Sequence, residues 1–432
     1  MQSAIKTPKQ AAYGWIVLLV VYFAGLTPGA NMAKVTALAP VVANVYAYDV
    51  GITGLVVALF FLLGFLLAFP GAGLVKKFGI RGVVSAMVAC GAIGSLLGAI
   101  FTDFTVFLIS RIFEGAAFGI MGVAGPSAIA PWFPKKKRGL PLGIWATWVA
   151  LAMCICPIIY GAVSDANGIL NPMEASYDIC LATVQQVWWG NFIFDVLVLM
   201  LFNVLYRDAK VNLYGEDSEE DAKGFDTKID WKAVLTNPLL IALALIFLID
   251  ELAFMAINGL FTTYLTGGGG VLAPITLNML DATLLASAAA VLGAVMAPVF
   301  GWLTDLLKTK KWVLFAGLIG GVLFTSTVFT NILGASNESI WPFYIIVFFG
   351  GIAGGGVPSV IWGSIPDTVK PDQIPSANAT VACSQNLGML IGAVAMGNAV
   401  MSLGWTTASF VVLVPAYVIC IIILLLGLRK LK

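Results

Sequence analysis

Long apolar windows recur along this chain, separated by short polar breaks. They fall near 13–37, 50–71, 80–101, 104–127, 139–163 and 187–206, and again near 238–266, 280–304, 311–333, 340–364, 376–402 and 406–428. Each is long enough to cross a hydrocarbon layer of about 30 Å as a helix. The ten-residue alternation of a membrane β-barrel is absent. The pattern predicts an all-α integral membrane protein with twelve transmembrane helices. Between the sixth and seventh windows lies "YRDAKVNLYGEDSEEDAKGFDTKIDWK", the longest strongly polar stretch. Its crowded Asp, Glu and Lys read as a solvated linker. The expected organisation is therefore a six-helix bundle over 1–206, a cytosolic linker over 207–237 and a second six-helix bundle over 238–432.

Composition agrees with this reading. Of 432 residues 60% are hydrophobic and only 10% charged, with a mean hydropathy of +0.98, far from a soluble domain. The net charge of +1 is uninformative, but the placement of charge is not. All 23 Lys and Arg residues except Lys34 and Arg111 fall on one side of a twelve-span path. Basic loops mark the cytosolic side, so both termini are expected in the cytosol and the protein in the plasma (inner) membrane as a multi-pass monomer. The opposite loops carry no basic residue: "SDANGILNPMEASYDICLATVQQV" is acidic and "TGGGGVLAPITLN" glycine-rich. The N-terminal "MQSAIKTPKQAAYGW" runs from a polar tail straight into a full span and reads as no cleavable signal.

The chain has no histidine, which removes histidine metal sites and imidazole relays and leaves carboxylates as proton carriers. Cys90, Cys154, Cys156, Cys383 and Cys420 sit in apolar segments and Cys180 in a polar one, a distribution that predicts neither disulfides nor metal ligation. No GxxxxGK[ST] loop is present. Without a nucleophile and base or a metal cluster, an enzyme is not expected, nor a cofactor or a nucleic-acid partner.

A weak internal repeat links the halves: "FPGAGLVKKFGIR" ends the second window and "PVFGWLTDLLKTKK" the eighth. These two loops, with "RIFEGAAFG" and "WFPKKKRG", resemble the major facilitator superfamily. Its loop signature has the form GxLaDRxGRR, which Gly301, Leu303, Asp305 and Lys310 match. In the first copy Leu74, Lys77, Gly79 and Arg81 fit, while Lys76 replaces the aspartate and Ala72 the first glycine. Arg111, Glu114, Gly115 and Gly119 match the family's fourth-span pattern, and Phe133, Pro134, Arg138 and Gly139 the loop after it. The resemblance extends over the whole chain and is nearest to the organic-anion branches, of oxalate/formate exchanger or anion:cation symporter type. The fifth span lacks the GPxxGG motif of drug/proton antiporters, and Asn31 and Met32 stand where symporters often have an Asp-Arg pair. The resemblance implies two pseudo-symmetric bundles, alternating access and a fourth span that lines a central cavity.

On that basis the intramembrane charges become candidates. A charge at the centre of a membrane helix costs about 2.5–3.5 kcal/mol on insertion scales, and Arg111 with Glu114 three positions on reduces that cost by mutual neutralisation. A cavity-facing Arg111 offers a planar fork suited to a carboxylate. It would exchange Glu114 for the ligand and free Glu114 to take a proton; the alternative is a structural ion pair. In "FLIDELAF", Asp250 and Glu251 sit near mid-bilayer with no visible cation, which suits proton coupling or a hydrogen bond to a neighbouring helix. Asp250, Phe254 and Asn258 share an i, i+4, i+8 face, making Asn258 a possible ligand. Lys34, after "GLTPGAN", either snorkels to the outer headgroups or attracts anions at the outer mouth.

Asp195 is read as structural. Asn31, Gln385, Asn386 and Asn398 bind substrate or tie helices. Trp145, Trp148 and Trp362 wall the cavity or pack helices. The glycines of "FFGGIAGGGVP" allow a bendable tenth helix. Lys76, Asp305 and Arg138 are expected to gate on the cytosolic side, with Asp305 capping a neighbouring helix and Lys76 meeting Asp367 or Asp372. The expected function is a secondary active transporter moving an organic anion by proton symport or by exchange with a counter-anion. The alternatives are proton-coupled export of a neutral or cationic compound and, outside transport, a membrane sensor.

Overall fold

The computed structural model describes residues 8–68, 70–133, 139–209, 234–268, 275–336, 339–370 and 373–427. Arg138, Asp372, most of the linker and the side chain of Lys76 lie outside them.

The first half runs through α1 (Pro8–Ala37), a short α2 (Ala39–Tyr46), α3 (Val50–Ala68), α4 (Gly71–Ile100), α5 (Phe104–Ile129), α6 (Gly139–Ala146), α7 (Trp148–Ala166) and α8 (Tyr177–Leu205). The second comprises α9 (Pro238–Asn258), a one-turn α10 (Phe261–Leu265), α11 (Met279–Leu307), α12 (Lys310–Thr327), α13 (Trp341–Gly351), α14 (Val357–Ser364), α15 (Ile374–Ala408) and α16 (Val414–Gly427). Asp103, Asn237 and Asn278 start three of these helices by accepting from free first-turn backbone amides of α5, α9 and α11. Among the described residues ten helical runs are long and apolar enough to cross a membrane. One of them spans 52 residues, over twice the length that about 30 Å requires, and is divided at Gly404, where φ is +76°. With the separate 18-residue α12 this makes twelve spans.

The structure adjusts three sequence boundaries. Helix α8 starts at Tyr177, well before the expected 187, because Cys180, Thr183, Val184 and Val187 give its polar first turns a buried face. The fifth span breaks at Thr147, between α6 and α7. The tenth contains a π-helical turn at Ile352–Gly356 within its glycine run.

The two halves repeat the same close contacts. In the first, Gly115 and Gly119 of α5 lie on the backbone carbonyls of Phe60 and Gly64 in α3. In the second, Gly351 meets Leu292 of α11 and Gly355 lies on the carbonyl of Gly293. The repeated loops also turn alike: the signature's glycine position is Gly79 (φ +73°) in one copy and Lys308 (φ +51°) in the other, both left-handed. The result is two pseudo-symmetric six-helix bundles.

Helices α3 and α15, and α7 and α11, join the bundles. Gly54 lies against the Ala393 carbonyl, Gly397 against Val50, and Gly161 against Thr283. Pro8 and Gly427, the ends of the first and last helices, are separated by twelve spans and so fall on one face, the terminal face. On the opposite face Gly268 abuts Met173 and Pro40, and Asn44 Nδ2 donates to the carbonyls of Pro172 (3.1 Å) and Ala175 (3.2 Å). Among the described residues these contacts close that opposite face.

Candidate functional site

The first bundle encloses a cluster of four charged residues. Helix α4 makes room for it with glycines at 91, 94 and 98: Gly94 lies against Glu114 and the Ser110 carbonyl, Gly98 against Trp188, and Gly91 beside Asn31 and Asp195. Side chains larger than hydrogen at these positions would fill the space that the charges occupy.

Glu114 on α5 holds two cations at once. Its Oε1 accepts from Lys34 Nζ at 2.6 Å and its Oε2 from Arg111 Nη1. Lys34, on α1, also donates to Asn31 Oδ1 (2.8 Å) and Ser95 Oγ (3.0 Å) and sits 4.4 Å from the Trp188 ring centroid. Arg111 donates to the Asn31 carbonyl at 3.1 Å and covers the Phe60 ring of α3 at 5.0 Å. Asp195, on α8, joins through neutral donors, Asn31 Nδ2 at 2.9 Å and Ser95 Oγ at 3.5 Å. Arg111 Nε and Asp195 Oδ1 are buried without partners. With all four groups ionised the cluster is neutral, which lets it persist out of water.

This geometry corrects two expectations. Lys34 is 0% exposed and neither snorkels nor stands at an outer mouth, because Glu114 and Asn31 draw its ammonium inward. Arg111 forms the expected pair with Glu114, yet at 1% exposure it is enclosed in the first bundle and does not open into a water-filled vestibule. Asn31 ties helices here: it accepts from Lys34 and Ser95 and donates to Asp195. Asn31→Leu is therefore expected to lower stability by about 1–3 kcal/mol, the cost of orphaned buried polar groups. Thermal unfolding in detergent measures this, and an unchanged midpoint would show that the hub carries no stability.

In the second bundle the neighbouring acids diverge. Asp250 accepts from Tyr417 Oη of α16 at 2.9 Å, and Glu251 from Gln385 Nε2 of α15 at 2.8 Å. Phe254 lies against Gly354 and packs on the first bundle's core, so along the face that Asp250, Phe254 and Asn258 share the contacts differ from residue to residue. Asn258 Nδ2 donates back to the Phe254 carbonyl at 2.8 Å. Trp148 packs edge-on to Phe118 and against Gly29, holding α7 on α1, while Trp362 remains partly exposed, edge-on to Phe247. Asn386 reaches Gly64 across the seam between bundles. At the terminal face Asp367 pairs with Lys310 at 2.6 Å, while the contact expected for Lys76 lies outside the described residues. Asp305 is exposed near the end of α11, and the described contacts bring no helix N-terminus to it.

A family model described as the Major Facilitator Superfamily matches residues 21–277 and 252–432. The chain belongs to the major facilitator superfamily. It is 22% identical to the lysosomal dipeptide transporter MFSD1 of Mus musculus, over 78% of this chain and 70% of that protein. It is 25% identical to a triacylglyceride transporter of Mycolicibacterium smegmatis, over 78% of this chain and 66% of that one, just under two thirds of its length. The solved structure of a mutant of the nucleoside transporter NupG superimposes with a TM-score of 0.71 over 96% of this chain and 100% of that one, at 10% identity, a likeness of fold. As a major facilitator chain with transporters as relatives, this protein is a multi-pass membrane transporter.

Within that superfamily frame, α1 and α5 bring Lys34 and Arg111 to one carboxylate. Two more members complete the cluster: Ser95 of α4, which the sequence does not single out, and Asp195 of α8, which it marks as structural. The signal for Ser95 was present in "CGAIGSLLG", a glycine stripe that clears one helix face.

Proposed function

We propose that this transporter carries a carboxylate-bearing solute together with a proton. The observation that carries the reading is the sharing of Glu114 between Lys34 and Arg111. A proton placed on Glu114 leaves two buried cations without their common counter-ion, a state that costs several kcal/mol. A carboxylate arriving with that proton restores neutrality, and the guanidinium fork with its free Nε is shaped to receive it. Proton and anion thus enter as a pair. In the closed arrangement Glu114 shields both cations, and the solute takes its place when α1 and α5 open toward the gap between bundles. The dipeptide named for the mouse relative bears a carboxylate, in line with this reading. Basic residues such as Lys77, Arg81 and Lys310 on the terminal face support a cytosolic placement of both termini.

The test uses proteoliposomes holding pyranine, an inward proton gradient, and labelled oxalate, lactate, succinate and alanyl-alanine. Uptake of at least one acid with matching lumenal acidification is expected, and a protonophore should suppress it. Flux confined to neutral or cationic probes, or no flux of any acid, overturns the carboxylate reading. Uptake that needs only a preloaded internal acid overturns proton coupling and makes the protein an exchanger.

A further inference from the structure

The second bundle holds buried acceptors without a donor among the described residues. Glu251 and Asn386 are 4% and 2% exposed. Glu251 Oε1 takes the amide of Gln385, but Oε2 has no donor. Asn386 Nδ2 donates to the Ala382 carbonyl at 2.9 Å, and its Oδ1 has none. The Ala382 carbonyl can only accept, which determines that the oxygen of Asn386 is the atom left over. Buried acceptors of this kind cost about 1–3 kcal/mol each, more when charged, and mark a place where a donor is wanted.

Charge points the same way. Asp250 and Glu251 are adjacent, and the ion pairs among the described residues, Lys34 and Arg111 with Glu114 and Lys310 with Asp367, leave both acids without a cation. Gln385 is half-buried, and Asn386 touches Gly64 of α3, so the free acceptors sit beside the seam between the bundles. One turn along α3 from Gly64 is Phe60, the ring under Arg111. Arg111 of the first bundle and Asn386 of the second therefore flank one stretch of α3, and Gln385, next to Asn386 in the chain, carries Glu251. Four residues of helix rise about 6 Å, comparable with the roughly 7 Å span of an extended dipeptide.

We infer that Glu251 and Asn386 receive an ammonium group, so that the solute is a zwitterion, an amino acid or short peptide with a free amino end. A primary ammonium brings three N–H donors and one positive charge, which matches two unpaired acceptors and an uncompensated carboxylate. This assignment rests on the carboxylate reading above, and it gives Glu251 a substrate-binding role in place of proton carriage.

The experiment compares uptake of labelled alanyl-alanine, N-acetyl-alanyl-alanine and lactate into proteoliposomes, by wild type and Glu251→Gln. Wild type is expected to favour alanyl-alanine over its N-acetyl derivative by at least about tenfold, because a site built for hydrogen bonding rejects an analogue that lacks the group. Glu251→Gln is expected to bring that ratio close to one. Should the variant fail to fold, thermal unfolding of the wild type decides: alanyl-alanine raises the midpoint and the N-acetyl compound does not. Equal handling of the two peptides by wild type, lactate as the preferred solute, or a ratio unchanged in Glu251→Gln would each overturn the ammonium site and leave the carboxylate reading standing. Failure of all three acids overturns both.

Discussion

Replacing Glu114 by glutamine is expected to destabilise the protein by about 3–5 kcal/mol, the cost of breaking a buried ion pair from one side. Glutamine keeps the size and can still accept with its carbonyl oxygen, so the loss is of charge and not of packing. Lys34 and Arg111 would then be left in a site with 0% and 1% exposure, where neither can reach water. Adding Lys34→Gln to Glu114→Gln removes one of the two stranded cations and leaves Arg111 with Asp195, a balanced set again. The double variant is therefore expected to be more stable than Glu114→Gln alone, with a coupling at the upper end of the 0.5–3 kcal/mol range for residues in one network. Thermal unfolding in detergent across the four-member cycle measures it. Additive single effects would mean that Glu114 does not act as the shared counter-ion.

Much of the fold was legible because a membrane span announces itself by length. All twelve spans correspond to apolar windows, and the repeated glycines of the fourth and tenth spans mark the same helix contact in each half. Helix α8 was placed too late because its first ten residues lie beyond the apolar stretch, and only the packing of Cys180 and Val184 reveals that they are helical. The site was half legible. Arg111 and Glu114 are three positions apart on one helix, so their pairing follows from local geometry. Lys34 reaches Glu114 across 80 residues of sequence and Asp195 meets Asn31 across 164, and no linear pattern says which helices face each other. The two exceptions to the one-sided distribution of basic residues were nevertheless the right clue. Both cations proved to need the same carboxylate, which explains why two positive charges are tolerated in the same bundle.

The second large effect concerns the seam, where a single side chain separates stability from transport. Gly54 of α3 meets the Ala393 carbonyl of α15, one bundle against the other, so any side chain there must push the bundles apart. Gly115, by contrast, meets the Phe60 carbonyl within the first bundle, so a substitution there strains the fold itself. Gly54→Val is thus expected to leave each bundle intact and to penalise only the arrangement in which the opposite face is closed. Overpacking costs about 1–3 kcal/mol, equivalent to a roughly 5- to 150-fold shift between two states. A carrier that must visit the closed state in every cycle would lose at least about fivefold in uptake, with little change in its unfolding midpoint. Spin labels at Pro40 and Gly268, which abut in the closed face, should separate in Gly54→Val and stay close in the parent. A variant that transports at the parental rate with its labels still close would show that the seam yields to a side chain, and that closure of this face does not depend on backbone contact at Gly54.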